Sequence, residues 1–376
     1  HLRKLKKTQF ATPERLRELQ LERLNKLLRH ARETVPFYAN LPAESLTALE
    51  QLSDLPLLEK ESLRNNPEQM WSSRTGFLTR NKTTGGSTGA AVTIRKDSSG
   101  MAEELAATWR GYGWAGIDIG DKQARFWGVP HDVKGKAKAR LIDFVTNRVR
   151  LSAFSFSDSD LDRYFKKLKH KRPVYFYGYV SMIRQFADYV RANKLENDLK
   201  INAVITTAEV LSDMDRYLIE DVFDCKVFDE YGCGEIGTVT HECVFGQKHI
   251  NAENLILEIV DENGVPVENG KPGEIVLTDL TNFTMPLIRY RIKDFAELSL
   301  QRCCCGVSLP ALRNVHGREY DMLINSKGER FHGEFFLYMV EDLNKQSIPV
   351  DAFQIEQSSD LSIIVRLNTR EDLFEK

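Results

Sequence analysis

Apolar and polar positions near the start of the chain follow the spacing of amphipathic helices. Leucines recur at spacings near three and four from Leu16 to Leu28, so their side chains share one helical face. This helix should end before Val35-Pro36, because the residue that precedes a proline disfavours helical geometry. A second helix is predicted to begin at Glu61. The start of the chain is therefore expected to be helical and connective.

Further along the chain, short apolar runs alternate with helical patterns. Asp97 or Ser98 should cap a long helix that extends to Tyr112. The predicted strands that follow are Ala124–Gly128, Val174–Tyr177, Ala203–Thr206 and Lys226–Asp229, and the helices predicted between them are Ser181–Asn193 and Ser212–Phe223. Such alternation is typical of an α/β sheet covered by helices.

The pattern changes again between residues 254 and 298. Two short strands, Leu255–Val260 and Glu274–Leu277, are separated by the turns Glu262-Asn263-Gly264 and Asn269-Gly270. Turns of this composition favour hairpins. The sequence therefore predicts an antiparallel, barrel-like section after the α/β section.

Length and pattern together predict two structural units. The chain has 376 residues, which exceeds the size at which a single core stops growing. After Gly317, a predicted helix (Gly333–Leu343) and a predicted strand (Leu361–Val365) form a small α+β piece. We therefore expect a large N-terminal domain over residues 1–316 and a small C-terminal domain over residues 317–376.

Composition and charge argue against several classes of protein. The hydrophobic share of 42% and the charged share of 28% are ordinary for a globular protein. The net charge of -2 gives no reason to expect nucleic acid or an anionic membrane as a partner. The basic opening, His1 to Lys7, has no apolar region behind it, and no apolar run approaches the ~20 residues of a membrane span. We expect a cytoplasmic protein. Because the sequence begins with histidine and not methionine, we also expect that it was trimmed or carries residues added for expression.

The segment Thr83-Thr84-Gly85-Gly86-Ser87-Thr88-Gly89 combines three glycines with four hydroxyl side chains. Glycines let backbone N–H groups turn toward one point and the hydroxyl groups add donors, which suits a polyphosphate. The segment lacks the lysine and the following helix of a Walker loop, and it lacks the spacing of a dinucleotide fingerprint. Its flanking strands are predicted at Gly76–Arg80 and Ala91–Arg95. An ordinary hairpin is the alternative, since glycine and serine are common in turns.

The six cysteines all lie between Cys225 and Cys305. Cys243 and His249 flank a turn, and Cys303-Cys304-Cys305-Gly306 forms a second cluster. One Cys and one His from the first pair plus two Cys from the second would complete a tetrahedral structural zinc site. His241 is the main competitor of His249 as the histidine ligand. The alternative is buried, unligated cysteine, which behaves as a small hydrophobic residue.

Five segments occur in an order that resembles the adenylate-forming superfamily of acyl-CoA synthetases. They are Thr84–Gly89, Thr206–Glu209, Asp229–Glu235, Met285–Asp294 and Gly317–Asp321. Pro36-Phe37-Tyr38, Gly178–Ser181 and the Cys/His clusters are similar to the phenylacetate–CoA ligase family within it. The glycine segment and Tyr231–Glu235 most resemble the members of that family found in capsular and exopolysaccharide gene clusters. The resemblance implies an α/β (α+β) fold with a large domain of helix-covered sheets, a barrel-like subdomain and a small C-terminal lid.

The resemblance also implies a role for each motif. Thr84, Gly85, Gly86, Ser87, Thr88 and Gly89 would hold the β- and γ-phosphates of ATP. Ala208, Glu209, Asp229, Glu230 and Tyr231 would form the adenine slot. Asp294 would bind the ribose hydroxyls, Arg318 would face the ribose and the α-phosphate, and Asp321 would be the hinge of the lid. Glu235 would bind Mg²⁺, since a hard cation prefers carboxylate oxygen, and a solvated loop acid is the alternative for this residue.

The implied activity is the activation of a small carboxylic acid. The acid would attack the α-phosphate of ATP, pyrophosphate would leave, and the acyl-adenylate would pass its acyl group to CoA. The acid pocket is expected at Trp127, His131, Tyr177 and Tyr179, although aromatic residues in strands more often belong to a core. Two alternatives stay open: transfer to an amine or hydroxyl in surface-polysaccharide synthesis, and an inactive scaffold of the same fold. The oligomeric state also stays open, with a homodimer as one candidate.

The chain departs from the family pattern in two places. Lys293 precedes Asp294 where the family usually has glycine. No segment matches the lysine that the family carries in its lid, so we expect an incomplete lid in a chain truncated at Lys376; an enzyme that works without this lysine is the alternative. The cysteines, in contrast, follow the family's Cys-x-Cys-Gly pattern, which selects Cys303 and Cys305 and leaves Cys304 as the intervening residue.

Overall fold

The structure is a computed structural model that describes residues 1–83, 92–127, 133–152, 157–318, 322–324, 330–332, 350–358 and 360–369. The α-helices in these ranges are α1 (Leu2–Thr8), α2 (Pro13–Thr34), α3 (Lys60–Asn65), α4 (Ser98–Trp114), α5 (Val133–Val145), α6 (Asp158–Lys171), α7 (Val180–Ala192) and α8 (Asp213–Phe223). Short 3-10 helices span Pro36–Tyr38, Leu49–Asp54, Pro67–Met70 and Glu196–Asp198.

The strands were predicted as two groups, and the structure joins these groups in one large sheet. Outside it lies the hairpin of β1 (Arg80–Thr83) and β2 (Thr93–Lys96). The sheet consists of β3 (Gln123–Trp127), β4 (Arg148–Ser152), β5 (Tyr175–Tyr179), β6 (Ala203–Thr207), β7 (Lys226–Cys233), β8 (Gly237–Glu242), β9 (Lys248–Ile250), β10 (Leu255–Val260), β11 (Gly273–Asp279), β12 (Tyr290–Leu298) and β13 (Ala311–Arg318). Two further pairs are β14 (Met322–Ile324) with β15 (Arg330–His332), and β16 (Val350–Gln357) with β17 (Ile363–Thr369).

The strand order of the large sheet is β10-β11-β12-β13-β9-β8-β7-β6-β5-β3-β4. Strands β3 to β7 are mutually parallel, and the direction reverses between β7 and β8. The predicted antiparallel section is therefore the other half of the same sheet, joined to the parallel half through the β7–β8 pair.

Alternation along the parallel strands places two different layers on the two faces of the sheet. Phe126, Phe176 and Val204 pack with buried side chains of α6, α7 and α8 on one face. Tyr175, Tyr177 and their neighbours pack with Tyr112 at the end of α4 on the other face. The period of two in a strand explains this division, because successive side chains point to opposite faces.

The sequence pattern located most helices and strands within a few residues. Helix α2 ends at Thr34, ahead of Pro36, and Asp97 caps α4 by accepting a hydrogen bond from the Gly100 amide at 2.9 Å. The strand predicted at Gly76–Arg80 is wrong, because β1 begins only at Arg80. The preceding residues turn instead: Leu78 has a φ of 52°, and the Phe77 carbonyl accepts from the Ser98 amide at 3.1 Å.

The predictions at Thr84–Gly89, His131, Asp321 and the helix Gly333–Leu343 lie outside the described residues. Among the helices that the structure describes, none combines the length and the apolar character that crossing a bilayer requires.

A buried ion pair joins α4 to the segment after β9. Arg110 and Glu253 have side chains 1% and 2% exposed, and their N–O distance is 2.7 Å. Arg110 also donates to Asn251 Oδ1 at 2.8 Å, and Thr8 of α1 donates to Glu253 at 2.7 Å. This network holds α1 and α4 against the antiparallel half of the sheet.

We predict that Arg110→Met lowers the free energy of unfolding by about 3–5 kcal/mol, because it leaves the Glu253 carboxylate buried without its cation. Urea unfolding followed by circular dichroism measures this loss. The matched control is Arg184→Met, since the Arg184 side chain is 44% exposed beside Asp188 and Asp215. The control should change stability by less than about 1 kcal/mol. Equal effects of the two substitutions would contradict the assignment of Arg110.

Candidate active site

The end of β7 and the turn after it carry the acidic motif predicted from the sequence. Asp229 accepts hydrogen bonds from Thr206 at 2.9 Å and pairs with Lys248 at 2.6 Å. Its neighbour Glu230 contacts Tyr177 and Thr207, while Tyr231 contacts Asp294. Glu230 and Tyr231 therefore serve opposite faces of the strand, as alternation requires.

Tyr231 and Asp294 form a hydrogen-bonded pair across the two strands that carry them. The Tyr231 hydroxyl donates to Asp294 Oδ2 at 2.7 Å. Asp294 lies opposite Arg318 in the β12–β13 register, which brings the predicted ribose ligand and the main chain of Arg318 together. Lys293 has a φ of 66°, the left-handed region that favours glycine. The lysine therefore keeps the backbone shape that the family's glycine would adopt easily.

Glu235, the predicted metal ligand, is 9% exposed in the turn between β7 and β8. Tyr290 of β12 donates to its Oε1 at 3.1 Å, and the Lys60 ammonium lies 3.3 Å from the same oxygen. Burial and the neighbouring Glu235 carboxylate raise the pKa of Tyr290 well above its usual value. The Tyr290 hydroxyl therefore stays protonated and orients the carboxylate.

Cys233 lies between these two groups of polar residues. Burial, and to a smaller degree the Glu235 and Asp294 carboxylates, raise the pKa of its thiol to about 12. Strand β12 contacts both groups, since its Asp294 accepts from Tyr231 and its Tyr290 donates to Glu235. Two carboxylates at one edge of the sheet form a centre that can attract a cation and accept hydrogen bonds from hydroxyl groups.

The base of the glycine segment is attached to this centre through Lys96 of β2. The Lys96 ammonium lies 3.1 Å from both Glu104 and Asp279, and it donates to the Ile236 carbonyl at 3.3 Å. Burial by itself lowers the pKa of Lys96, but the two carboxylates raise it above its usual value. Lys96 is thus a charged link between β2, α4, β11 and the turn that carries Glu235.

The segment after β6 has its side chains engaged in structural contacts. Ala208 has a φ of 69°. The Glu209 carboxylate accepts from the amide and the hydroxyl of Ser181 at 2.7 and 2.9 Å, at the start of α7. This position suits an anion, because the first amides of a helix point at it. If Ala208 and Glu209 bind adenine, their backbone groups would make the contacts, because the Glu209 carboxylate already binds Ser181.

The structure brings the four predicted zinc ligands together. Ligand atoms of Cys243, His249, Cys303 and Cys305 all lie within 4.8 Å of one another. The Cys243 and Cys303 sulfurs are 3.5 Å apart, and His249 Nε2 is 3.2 Å from the Cys305 sulfur. His249 Nδ1 is 2.9 Å from the Leu309 carbonyl, an arrangement that fixes the ring and leaves Nε2 for a metal.

Backbone contacts give the second cysteine cluster the shape of a metal-binding turn. The amides of Cys305 and Val307 donate to the sulfurs of Cys303 and Cys305 at 3.5 and 3.4 Å. Cys304 is exposed, as expected for the intervening residue. His241 is not part of the cluster, because it is buried beside Tyr112, Glu230 and Trp114. The donor set of three thiols and one imidazole is one that Zn²⁺ favours.

Three of the four predicted acid-pocket residues form one aromatic group. Trp127 stacks on Tyr179 at a centroid distance of 4.4 Å and on Tyr177 at 5.8 Å. The Arg125 guanidinium lies 4.9 Å from the ring centroids of both Trp127 and Tyr177. This group lies at the carboxyl ends of β3 and β5, where open parallel sheets commonly bind ligands.

Sequence reasoning missed Lys60 and Arg125 as site residues. Lys60 reaches Glu235 because the segment before α3 pairs with β12: the Leu58 amide donates to the Arg289 carbonyl at 2.9 Å. The Arg291 amide in turn donates to the Leu58 carbonyl at 3.0 Å. This pairing joins residues far apart in the sequence, and no local pattern announces it. Alternation gave a signal for Arg125, which shares a strand face with Trp127.

Comparison with known proteins agrees with the motifs. No protein-family model matches the chain. Protein CapK of Staphylococcus aureus is 27% identical over 290 residues, which cover 75% of this chain and 63% of CapK. The chain thus spans slightly less than two thirds of CapK. The phenylacetate-coenzyme A ligase of Pseudomonas putida is 28% identical over 332 residues, which cover 84% of this chain and 73% of that enzyme.

A solved structure agrees on the fold. A crystal structure of 2-hydroxyisobutyryl-CoA ligase in complex with 2-HIB-AMP matches with a TM-score of 0.78 at 19% identity. The match covers 96% of this chain and 80% of that chain. The ordered motifs, the sequence relatives and this shared fold agree with one another. The chain is similar in sequence to phenylacetate-coenzyme A ligases and shares the fold of an adenylate-forming CoA ligase.

Proposed function

We propose that this protein is an acid–thiol ligase that forms an acyl-adenylate from ATP and a carboxylic acid and then transfers the acyl group to CoA. The observation that carries the proposal is that β12 contacts the motif after β7 at two points: Asp294 accepts from Tyr231, and Tyr290 donates to Glu235. The relatives named as phenylacetate-coenzyme A ligases support the same reaction. CoA is the proposed acceptor of the acyl group, and an amine or a hydroxyl is the alternative.

ATP would bind along the edge of the sheet that carries these residues. Tyr231 would stack on the adenine, Asp294 would accept from the ribose hydroxyls, and Arg318 would face the α-phosphate. The glycine segment Thr84–Gly89 would hold the outer phosphates, with its β2 side anchored by Lys96 to Ile236. Glu235 would hold Mg²⁺, which neutralises phosphate charge when bound.

The chain's own residues contribute positioning and charge. Tyr290 orients the Glu235 carboxylate, and Lys60 places a cation beside it. In this arrangement the acid would enter past Trp127 and Tyr179, and its carboxylate would meet the α-phosphate. Holding both reactants in line and balancing the charge of the leaving pyrophosphate would lower the barrier.

The decisive experiment for the reaction is a pyrophosphate-release screen of the full-length protein with aryl, acyl and amino acids. The screen is run with CoA, with amine or hydroxyl acceptors, and without an acceptor. Acid-dependent release with thioester formation is expected. Absence of release with every acid would favour the inactive scaffold instead.

We also propose that Cys243, His249, Cys303 and Cys305 hold one structural zinc ion. The compact thiol and imidazole cluster supports this, and four protein ligands leave no position for a reactive water. The ion would join the end of β8 to the turn before β13, the strand that ends at Arg318. Its role would be to hold two parts of the nucleotide edge together.

The nucleotide site predicts that Thr88→Ala combined with Glu235→Gln weakens ATP binding by at least about tenfold, since donors and a metal-binding carboxylate are lost. Titration calorimetry with and without Mg²⁺ measures the change. Glu262→Gln, at an exposed turn position, is the control and should bind ATP normally. Unchanged affinity and Mg²⁺ dependence in the double variant would refute the motif assignment.

Lys60 gives a separate prediction about the phosphates. Lys60→Met should weaken ATP binding by about tenfold and AMP binding much less, because the ammonium would act on the outer phosphates. The comparison uses calorimetry with both nucleotides. Lys226→Met is the control, since the Lys226 side chain is 73% exposed. Equal losses for ATP and AMP would place Lys60 outside the phosphate site.

For the cysteine cluster we predict one equivalent of zinc in protein purified without chelator, measured by elemental analysis. Cys305→Ser should lose the metal and lower the melting temperature, while Cys304→Ser, at the exposed position, should keep both. Zinc below about a tenth of an equivalent would sink the proposal. So would a Cys305→Ser variant that melts at the wild-type temperature.

A further inference from the structure

Glu230, which the resemblance assigns to the adenine slot, is a buried carboxyl group whose side chain points away from the Tyr231–Asp294 pair. It is 7% exposed, and its side chain lies on the face of β7 opposite to that of Tyr231. Its Oε1 accepts long hydrogen bonds from Tyr177 at 3.3 Å and Thr207 at 3.4 Å. Its Oε2 is buried without a hydrogen-bond partner among the residues that the structure describes.

A second unsatisfied group faces the same carboxyl. His241 lies opposite Glu230 in the β7–β8 register, and its Nδ1 is 3.7 Å from Glu230 Oε2. Its Nε2 is also buried without a hydrogen-bond partner in the described part of the chain. Helix α4 closes over the ring, since a Cβ at Gly111 would stand 2.1 Å from it. Burial and the Arg110 charge lower the pKa of His241 to about 3, so the ring is neutral.

The protein tolerates a large electrostatic cost at this point. Burial raises the pKa of Glu230 to about 7, even though the hydroxyl groups of Tyr177, Thr207 and Tyr112 and the charge of Arg125 act in the other direction. A polar atom that is buried without a hydrogen-bond partner destabilises the folded state. The two hydrogen bonds to Oε1 are long, and Oε2 has no hydrogen-bond partner among the described residues. A ligand that brings a donor to Oε2 would recover the cost.

The surroundings define what kind of ligand fits. The stacked rings of Trp127, Tyr177 and Tyr179 begin at the half-buried edge of the sheet and lead inward, and Tyr177 contacts Glu230 itself. Flat apolar walls with a hydrogen-bond acceptor at the inner end suit an aromatic acid with a polar substituent. Arg125 already covers the Trp127 and Tyr177 rings, so its cation is partly engaged.

We propose that Glu230 determines the specificity of the acid site and selects carboxylic acids that carry a hydroxyl or amino group remote from the reacting carboxyl. This inference rests on the proposed function. The donor would bind Glu230 Oε2, with His241 beside it as a second neutral contact. An acid without the donor would leave Oε2 unpaired, and sites built to hydrogen-bond a substrate discriminate strongly against analogues that lack the group.

The test compares four acids of one shape: phenylacetate and its 4-hydroxy, 4-amino and 4-carboxy derivatives. Pyrophosphate release by the full-length protein gives kcat/KM for each acid, and calorimetry gives the affinity for ATP. The wild type should prefer the hydroxy or amino acid to phenylacetate by at least about tenfold, the equivalent of one well-made hydrogen bond. The variants are Glu230→Gln and Glu230→Leu, with the exposed Glu262→Gln as control.

Glu230→Leu should reverse the preference in favour of phenylacetate, because the pocket end becomes apolar. Glu230→Gln should keep a weakened preference for both donor-bearing acids, since its amide oxygen still accepts a hydrogen bond from a hydroxyl or from a neutral aryl amine. ATP affinity should not change in either variant.

Three results would overturn the inference. Equal loss for all four acids, or a weaker affinity for ATP, would place Glu230 in the nucleotide site. A preference of the wild type for the 4-carboxy acid would assign selection to Arg125. If no acid releases pyrophosphate, the proposed function fails, and saturation-transfer NMR of acid binding then decides the inference: the donor-bearing acids should bind the wild type and not Glu230→Leu.

Discussion

The geometry of the candidate site depends on the contacts of one buried ammonium group, that of Lys96. Its ammonium joins two carboxylates from α4 and β11 and the carbonyl of Ile236, next to Glu235. A lysine so enclosed keeps its charge only because both anions are in place, and each anion needs the lysine in return. The hairpin that frames the glycine segment cannot shift relative to the Glu235 turn without breaking this set. In the proposed nucleotide site, this contact would fix the position of the hairpin that flanks the glycine segment relative to Glu235.

Local patterns predicted most of the fold because the elements carry their own signals. Leucine spacing and Pro36 predicted the extent of α2, and Asp97 was predicted as a possible cap of α4, which begins at Ser98. The apolar run Leu255–Val260 has the same bounds as β10. The strand expected at Gly76–Arg80 failed for a physical reason. Its residues fold back on the start of α4, and a glycine at position 76 is needed because a Cβ there would meet the Asp97 carboxylate at 2.0 Å.

The site was predictable only as far as it is local. Motifs identified Tyr231, Glu235 and Asp294 as one set of site residues and the four cysteine and histidine ligands as another. Strand pairing brings the members of each set close together in space. The contacts of Lys60, the packing of His241 under α4 and the capping of α7 by Glu209 depend on partners distant in the sequence. Such contacts follow from tertiary packing, which no window of sequence contains. The sequence also could not predict that β7 and β8 join the two halves of the large sheet, because this too depends on tertiary packing.

Strand β7 has one more consequence. Its side chains point alternately to the two faces of the sheet: Asp229 and Tyr231 lie on one face, and Glu230 lies on the other. In the proposed function, neighbouring residues of one strand therefore contact different ligands. A mutation at the middle position can alter one recognition surface while its two neighbours keep theirs, because the backbone between them is locked in the sheet. Related proteins could therefore change the acid that they recognise by substituting this position, while the contacts of the two neighbouring positions stay the same.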